Sequence, residues 1–257
     1  MTERSTDLFI KQIRTEGLPD KTGYPWDLPV VKNLAKAGGL EFHSPVTFFV
    51  GENGIGKSTL IEAIAVAVGF NPEGGSKNFR FSTEDSHSPL CRHLFVKRSM
   101  KRQRDGFFLR AESFYNVASY IDQLDRQPSF SPPIIDSYGG ISLHRQSHGE
   151  SFLALVENRF KGNGLYILDE PEAALSPARL LRLMVLIREL VQKGSQFLIS
   201  THSPILMSFP DAEVYQLTEG TIESVSYRDT EHFRLTQQFV NDTERMLRYL
   251  FDDTEAK

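Results

Sequence analysis

One short segment of the chain combines glycines, a lysine and a hydroxyl at a fixed spacing. Residues 51–58 read Gly-Glu-Asn-Gly-Ile-Gly-Lys-Ser and match the pattern G-x-x-x-x-G-K-[ST] at every fixed position. The glycines of such a loop let backbone N–H groups turn towards phosphate oxygens, and the lysine ammonium reaches the β and γ oxygens. The spacing therefore predicts a site for ATP or GTP. Its expected residues are Gly51, Glu52, Asn53, Gly54, Ile55, Gly56, Lys57, Ser58 and Thr59.

Two adjacent carboxylates follow an apolar run later in the chain. Residues 165–168 read Leu-Tyr-Ile-Leu, which predicts a buried strand, and Asp169 and Glu170 come directly after it. Ligands of open α/β sheets lie at the carboxyl ends of the strands. We expect Asp169 to bind Mg²⁺ through water together with the Ser58 hydroxyl, and Glu170 to orient and deprotonate the attacking water. These residues predict hydrolysis of the bound nucleotide.

A histidine follows the next strand-like segment. Residues 197–200 read Phe-Leu-Ile-Ser, and His202 comes after Thr201. An isolated histidine at a strand end is more often an ordinary hydrogen-bonded residue, but here two phosphate-related motifs precede it. We expect His202 to lie on the same edge of the sheet and to contact the γ-phosphate. With Lys57 and Glu170 it completes the expected catalytic set.

The segments between these motifs predict the elements that position them. Helices are predicted over residues 60–68, 113–124, 151–160, 180–191 and 230–251, and a terminal hairpin over 214–217 and 221–227. Helices that alternate with all-apolar strands are typical of a parallel sheet covered on both faces. We therefore expect an α/β P-loop NTPase with a mostly parallel sheet flanked by helices, an antiparallel β portion and a small helical lobe. Residues 1–257 are expected to form one ATPase domain.

Residues 71–150 are expected to be an insertion that holds a hairpin and the helical lobe. Strand-like residues 94–100 and 107–111 flank the dipeptide Asp105-Gly106, which favours a hairpin turn. A dense basic cluster lies in the same region: Arg92, Lys97, Arg98, Lys101, Arg102 and Arg104. Charge runs usually solvate a surface, and the alternative is a contact with DNA or a protein partner.

Composition excludes several classes of protein. The formal net charge of -4 and the pI near 6.0 argue against a strongly basic nucleic-acid binder. Cys91 is the only cysteine, so an intrachain disulfide framework and a zinc site built mainly of cysteines are excluded. The N-terminus lacks the apolar core of a secretion signal, and no stretch approaches the roughly 18 apolar residues of a membrane span. We expect a cytoplasmic protein.

The three motifs, in this order, resemble the ATP-binding-cassette superfamily. Within it they are similar to the RecF and SMC type heads, the double-strand-break repair ATPases and the ATPase domain of the OLD nucleases. Residues 51–54, residues 168–177 (Leu-Asp-Glu-Pro-Glu-Ala-Ala-Leu-Ser-Pro) and residues 200–204 (Ser-Thr-His-Ser-Pro) carry the resemblance, which spans about residues 42 to 206. The chain shows no sustained heptads between 59 and 147, and only about 50 residues follow His202. The resemblance therefore implies a stand-alone AAA-family ATPase without a coiled coil or an acidic Toprim nuclease domain.

The resemblance also implies a signature motif upstream of the acidic strand. Residues 146–150, Gln-Ser-His-Gly-Glu, stand in that place. Ser147 and the N–H of Gly149 would reach across a homodimer interface to the γ-phosphate bound by the other subunit. His148 replaces the usual glycine and Glu150 the usual glutamine, so nucleotide binding is more firmly predicted than tight closure. The loop 175–177 would cross between the subunits.

Members of the superfamily carry a glutamine at a strand end between the phosphate loop and the signature. This chain offers Glu112 there, which we assign as a further residue near Mg²⁺.

Three functions are compatible with the motifs. The first is a stand-alone ATPase whose head-to-tail dimer acts on DNA, a toxin or nuclease, or another macromolecule, as in DNA repair or defence. The second is the nucleotide-binding subunit of a membrane transporter, which would need a coupling glutamine, a Gly-rich signature and a stacking aromatic such as Tyr24 or Trp26. The third is a nucleotide-sensing module with little turnover, which the presence of Glu170 argues against.

Overall fold

The computed structural model describes residues 8–77, 88–111, 114–126 and 132–251. Its strands are β1 Ile10–Thr15, β2 Leu40–Glu41, β3 Val46–Val50, β4 Leu94–Arg98, β5 Asp105–Arg110, β6 Gly164–Asp169, β7 Gln196–Ser200, β8 Glu213–Leu217 and β9 Ile222–Ser224. Its helices are α1 Pro29–Lys36, α2 Lys57–Ala67, α3 Phe114–Asp125, α4 His148–Arg159, α5 Pro177–Gln192, α6 Pro204–Met207, α7 Glu231–Asn241 and α8 Thr243–Phe251.

The larger sheet has the order β5-β6-β7-β3-β8-β9, and all neighbours are parallel except β8 and β9. Every residue of β3, β6 and β7 is buried. Successive side chains of a strand point to opposite faces, so Phe48 joins the core under α3 to α6 and Phe49 joins the core under α1 and α2. Apolar runs on both faces require helices on both sides. The predicted α/β P-loop fold is confirmed.

A smaller antiparallel sheet, β2-β1-β4, supplies the predicted antiparallel portion. It is attached to the larger sheet through the amide of Gln196, the first residue of β7. That buried side chain accepts from the N–H of Ile10 at 2.9 Å and donates to its carbonyl at 3.0 Å. One amide thus satisfies both backbone groups of a buried residue in β1, which fixes the two sheets together.

The predicted hairpin around Asp105 and Gly106 is wrong. β4 pairs with β1, whereas β5 pairs with β6 in the other sheet, and the dipeptide lies inside β5. The Asp105 carboxylate accepts from Arg159 at 2.7 Å and from the Tyr166 hydroxyl at 2.8 Å, so it is bonded within the fold rather than exposed in a turn. Residues 106–109 are buried, because a strand that is apolar on both faces belongs inside a parallel sheet. The inserted lobe as a separate unit stays a prediction.

The C-terminal part keeps the predicted hairpin, since β8 and β9 pair antiparallel. The predicted single helix 230–251 is two helices, because Asp242 leaves helical geometry with φ −147° and its carboxylate accepts from the N–H of Arg245. The predicted helix at 151 begins three residues earlier, at His148. Among the described residues, no helix combines the length and apolar character needed to cross a membrane.

Candidate nucleotide site

The phosphate loop joins β3 to α2 in the predicted strand-loop-helix order. Gly54 and Gly56 have φ values of 84° and 100°, a left-handed region that favours glycine. A Cβ on Gly56 would also lie 2.6 Å from Cγ1 of Val30 in α1. The loop shape thus depends on glycine, and α2 begins at Lys57 with its N–H groups facing the loop.

Lys57 is buried at the base of this loop. Its Nζ donates to the carbonyls of Gly51 at 2.8 Å and Glu52 at 3.0 Å. Burial lowers the pKa of the ammonium, while the nearby carboxylates of Glu170 and Asp169 act in the opposite direction. Because neutral carbonyls hold the ammonium, its positive charge remains available to an anion bound in the loop.

Asp169 ends β6 as a buried carboxylate. It accepts from the hydroxyl of Ser200 at the end of β7, and Ser58 of the phosphate loop also bonds to it. Burial raises the pKa of Asp169, and the charge of Arg110 opposes that shift. The structure therefore brings together two of the three residues predicted at the Mg²⁺ site, although Asp169 and Ser58 come from distant parts of the chain.

Arg110 and Glu62 belong to the same corner, and sequence reasoning missed both. Nη1 of Arg110 lies 2.6 Å from Oε2 of Glu62, and its Nε lies 3.5 Å from Oδ2 of Asp169. Both side chains of the closer pair are mostly buried. The sequence does place an arginine at the end of an apolar strand and one acid inside the apolar run of α2. Because charged residues need partners when they are buried, these two positions could have been predicted to form a pair.

Glu170 follows Asp169 with a left-handed backbone, φ 49° and ψ 54°. Such a conformation costs free energy for a residue other than glycine, and it turns the chain sharply at the end of β6. The N–H of Glu170 donates to the carbonyl of Ser200 at 3.1 Å, which fixes the turn against β7. Its Oε1 lies 3.4 Å from Nε2 of His202.

His202 stands two residues beyond β7, and the partly buried Glu172 holds its backbone. One carboxylate oxygen of Glu172 accepts from the N–H of His202 and from the Thr201 hydroxyl. Burial, followed by the charge of Lys57, lowers the pKa of His202 to about 4, so the imidazole is neutral near pH 7. Its Nε2 is buried and has no hydrogen-bond partner in the described part of the chain. Its Nδ1 contacts His232, which sequence reasoning also missed.

Lys57, Asp169, Glu170 and His202 therefore converge on one edge of the sheet. They lie at or beyond the carboxyl ends of β3, β6 and β7, which are adjacent parallel strands. The edge offers a cation for phosphates, a buried carboxylate beside a hydroxyl, a second carboxylate and a neutral imidazole. Phosphoryl transfer to water needs groups of these kinds. The role of each residue remains a prediction.

The signature residues lie at the N-terminus of α4. Ser147 is exposed, and the carboxylate of Glu150 accepts from its N–H at 3.1 Å and from its hydroxyl at 2.7 Å. Arg179 of α5 lies 3.1 Å from Glu150 and 3.3 Å from the Ser147 hydroxyl. Gly149 is buried beneath Arg179, and a Cβ there would lie 2.9 Å from the carbonyl of Ala174. The signature is thus fixed to the segment that follows the acidic strand.

Glu112 lies outside the described residues, so its assignment near Mg²⁺ stays a prediction.

The two candidate stacking aromatics lie in different places. Tyr24 is 64% exposed, and its hydroxyl lies 3.4 Å from Oγ1 of Thr59 in the first turn of α2. Trp26 instead packs edge-on against His93, with ring centroids 5.1 Å apart. Of the two aromatic residues, Tyr24 lies beside the phosphate loop.

The basic cluster is partly structural. Arg98 donates to the carbonyl of Ala67 at the end of α2, and Lys101 donates to the carbonyl of Gly194 beyond α5. Cations at helix C-termini stabilise the helix dipole and bond its free carbonyls. Arg102 and Arg104 are exposed. Contact with DNA or a protein partner through this cluster remains a prediction.

Comparison with known proteins places these motifs in a wider group. A family model described as "AAA domain" matches residues 35–128, and one described as "AAA domain, putative AbiEii toxin, Type IV TA system" matches residues 141–208. The chain is 27% identical over 208 residues to the cobalt import ATP-binding protein CbiO of Salmonella paratyphi A, covering 76% of this chain and 74% of that protein. It is 29% identical over 190 residues to the cytochrome c biogenesis ATP-binding export protein CcmA of Legionella pneumophila, covering 69% and 90%.

A solved structure shares the fold. A nucleotide-free ATP-binding cassette from an ABC transporter aligns with a TM-score of 0.50 and 18% identity, covering 91% of this chain and 98% of that one. The chain thus has the α/β P-loop fold that this ATP-binding cassette shares, and the relatives that it resembles are named as ATP-binding proteins, as the motif resemblance implied. The narrower resemblance to the RecF, SMC and OLD branch is not confirmed, since the curated relatives named above are transporter ATPases.

Proposed function

We propose that this protein hydrolyses Mg²⁺-bound ATP in sites shared between two head-to-tail copies. The observation that carries the proposal is the convergence of Lys57, Asp169, Glu170 and His202 on one sheet edge. The buried Nε2 of His202, which has no hydrogen-bond partner among the described residues, fits a phosphate oxygen as acceptor. The buried carboxylate of Asp169 beside the Ser58 hydroxyl fits a hard cation such as Mg²⁺.

In this mechanism Lys57 binds the outer phosphate oxygens, and the N–H groups of the loop bind the inner ones. Ser58 and Asp169 would hold Mg²⁺, which neutralises the charge of the phosphates when bound. Glu170 orients the attacking water and takes its proton. His202, neutral near pH 7, donates a hydrogen bond to the γ-phosphate oxygen without adding a charge that would hold the product.

The dimer is proposed because ABC ATPases work as dimers and because hydrogen bonds hold the signature residues at the start of α4. Ser147 is exposed at the start of α4, where the helix dipole is positive and suits a phosphate from another subunit. The Ser147 hydroxyl donates to Glu150 and accepts from Arg179, so it would have to leave Glu150 before it could donate to that phosphate. Each site would then use the loop of one copy and the signature of the other.

Mixing two inactive variants tests the shared site. Lys57→Ala removes the phosphate lysine, and Ser147→Arg blocks the signature. Their heterodimer contains one intact site, so a one-to-one mixture should regain roughly a quarter of wild-type turnover, because about half the dimers are mixed and each has one working site. The double variant mixed with inactive Lys57→Ala is the matched control and should stay inactive. No recovery in the first mixture would reject the head-to-tail arrangement.

The work coupled to hydrolysis has two candidates. We propose first the nucleotide-binding subunit of a membrane transporter, as in the matched CbiO and CcmA proteins, and the position of Tyr24 beside Thr59 supports it because an exposed aromatic there can stack on adenine. The second candidate is an ATPase that acts on DNA or a protein partner. It is supported by the exposed Arg102 and Arg104 and by the match of residues 141–208 to the AbiEii-related family.

A further inference from the structure

A second histidine contacts His202. The Nδ1 of His202 lies 2.9 Å from the Nε2 of His232 in the first turn of α7, and the ring centroids are 4.9 Å apart. At that separation the two nitrogens share one hydrogen bond, so one ring donates and the other accepts. The direction of this bond decides which nitrogen of His202 carries its proton.

The surrounding charges favour His232 as the donor. Its Nε2 also lies 3.8 Å from Oε1 of Glu52 in the phosphate loop, and a nearby carboxylate favours the tautomer that carries the N–H on that nitrogen. On the other side, burial and Lys57 lower the pKa of His202, so this ring is neutral and can accept at Nδ1. A neutral imidazole that accepts at Nδ1 carries its proton on Nε2.

We propose that His232 is a positioning residue for the hydrolysis proposed above, on which this inference rests: it donates to Nδ1 of His202 and keeps the His202 proton on Nε2. That Nε2 lies 3.4 Å from Oε1 of Glu170. When Nε2 of the neutral ring carries the proton, it can donate to a phosphate oxygen. In the opposite tautomer Nε2 would present a lone pair to the phosphate oxygen, and the two would repel each other.

The start of α7 is fixed so that His232 cannot easily turn away. Thr230 is fully buried, and its hydroxyl donates to the carbonyl of Tyr227 at 2.6 Å and accepts from the N–H of Phe233 at 3.4 Å. The same hydroxyl lies 3.2 Å from the sulfur of Met207 in α6, the helix that follows His202. The two histidines are therefore held by elements that pack against each other, which suits a preorganised contact.

The first test compares three variants by steady-state ATP turnover and by ATP binding. His232→Ala should lower kcat about 10-fold, a typical effect of removing a group that orients another, with KM and Kd within about 2-fold. His232→Gln retains an N–H donor and should stay within about 3-fold of wild type. His43→Gln alters an exposed histidine and should change nothing. Wild-type turnover in His232→Ala, or equal losses in the Ala and Gln variants, would overturn the proposal.

The second test does not need turnover. The ¹⁵N chemical shifts of the His202 ring, assigned with His202→Gln, should show Nε2–H in the wild type and a tautomer mixture in His232→Ala. A wild-type ring protonated on Nδ1 would overturn the proposal. A wild type that fails to hydrolyse ATP would reject the proposed function, while these shifts would still decide the direction of the hydrogen bond.

Discussion

Oε1 of Glu170 and Nε2 of His202 lie 3.4 Å apart at the ends of two adjacent parallel strands. The register of β6 and β7 pairs Asp169 with Ser200, so the chain leaves both strands at the same level of the sheet. Because parallel strands end on one edge, two residues that are 32 positions apart in sequence meet at the site where a γ-phosphate is expected.

Tyr24 should contribute to nucleotide affinity through stacking on adenine. Removing one stacked aromatic typically costs about 1–3 kcal/mol, so Tyr24→Ala should raise the KM for ATP by roughly 10-fold with kcat nearly unchanged. Tyr24→Trp keeps a stacking ring and should remain close to wild type. Tyr249→Ala, which alters another exposed tyrosine, serves as the control. An unchanged KM in Tyr24→Ala would remove the structural support for the transporter-type interpretation.

Arg110 and Glu62 should stabilise the fold as a coupled pair. Replacing either by Met removes the 2.6 Å contact, while Arg110 keeps Asp169 and Glu62 keeps the N–H of Ser88, so each single variant should lose about 1.5–3 kcal/mol of unfolding free energy in urea. The double variant Arg110→Met with Glu62→Met should lose less than the sum of the single losses. Additive losses would show that the 2.6 Å contact contributes no coupling.

The pH dependence of stability should reflect His202. Its folded-state pKa of about 4 lies below the unfolded value near 6.5, so between these values the unfolded chain binds more protons. The stability that depends on neutral His202 is therefore fully present above about pH 6.5 and is lost as the pH falls towards 4. Relative to His202→Gln, the wild type should lose on the order of 1–3 kcal/mol over this range. Parallel stability curves for the two proteins would contradict the low pKa.

The motifs with fixed local spacing were readable from the sequence, and the long-range pairs were not. The loop 51–58 and the apolar strand before Asp169 predicted which edge of the sheet carries the site. They could do so because the roles of the glycines, the lysine and the apolar run depend only on neighbouring residues. The Asp105-Gly106 dipeptide led to the wrong prediction of a hairpin turn, because the burial of β5 beside β6 outweighs the turn propensity of these two residues. His232 could not be predicted from spacing, because the β8–β9 hairpin separates it from His202.

Binding to DNA should be absent if the protein serves a transporter. We then expect no gel shift of duplex DNA even at low salt, where phosphate contacts are strongest. A salt-sensitive shift that is lost in Arg102→Glu with Arg104→Glu, and kept in Arg228→Glu with Arg248→Glu, would instead favour the second candidate. Arg98 and Lys101 are left unchanged, because they donate to backbone carbonyls at or just beyond the ends of α2 and α5, and their reversal would disturb the fold.

ATP turnover and ATP binding of the wild type and of Glu170→Gln test the central claim most directly. The amide keeps the size of the side chain but cannot accept the proton of water, so kcat should fall by about 100-fold or more. Affinity for ATP should stay within a few-fold, and the variant should accumulate as an ATP-bound dimer. Equal turnover in the two proteins, or a wild type that does not bind ATP, would contradict the account.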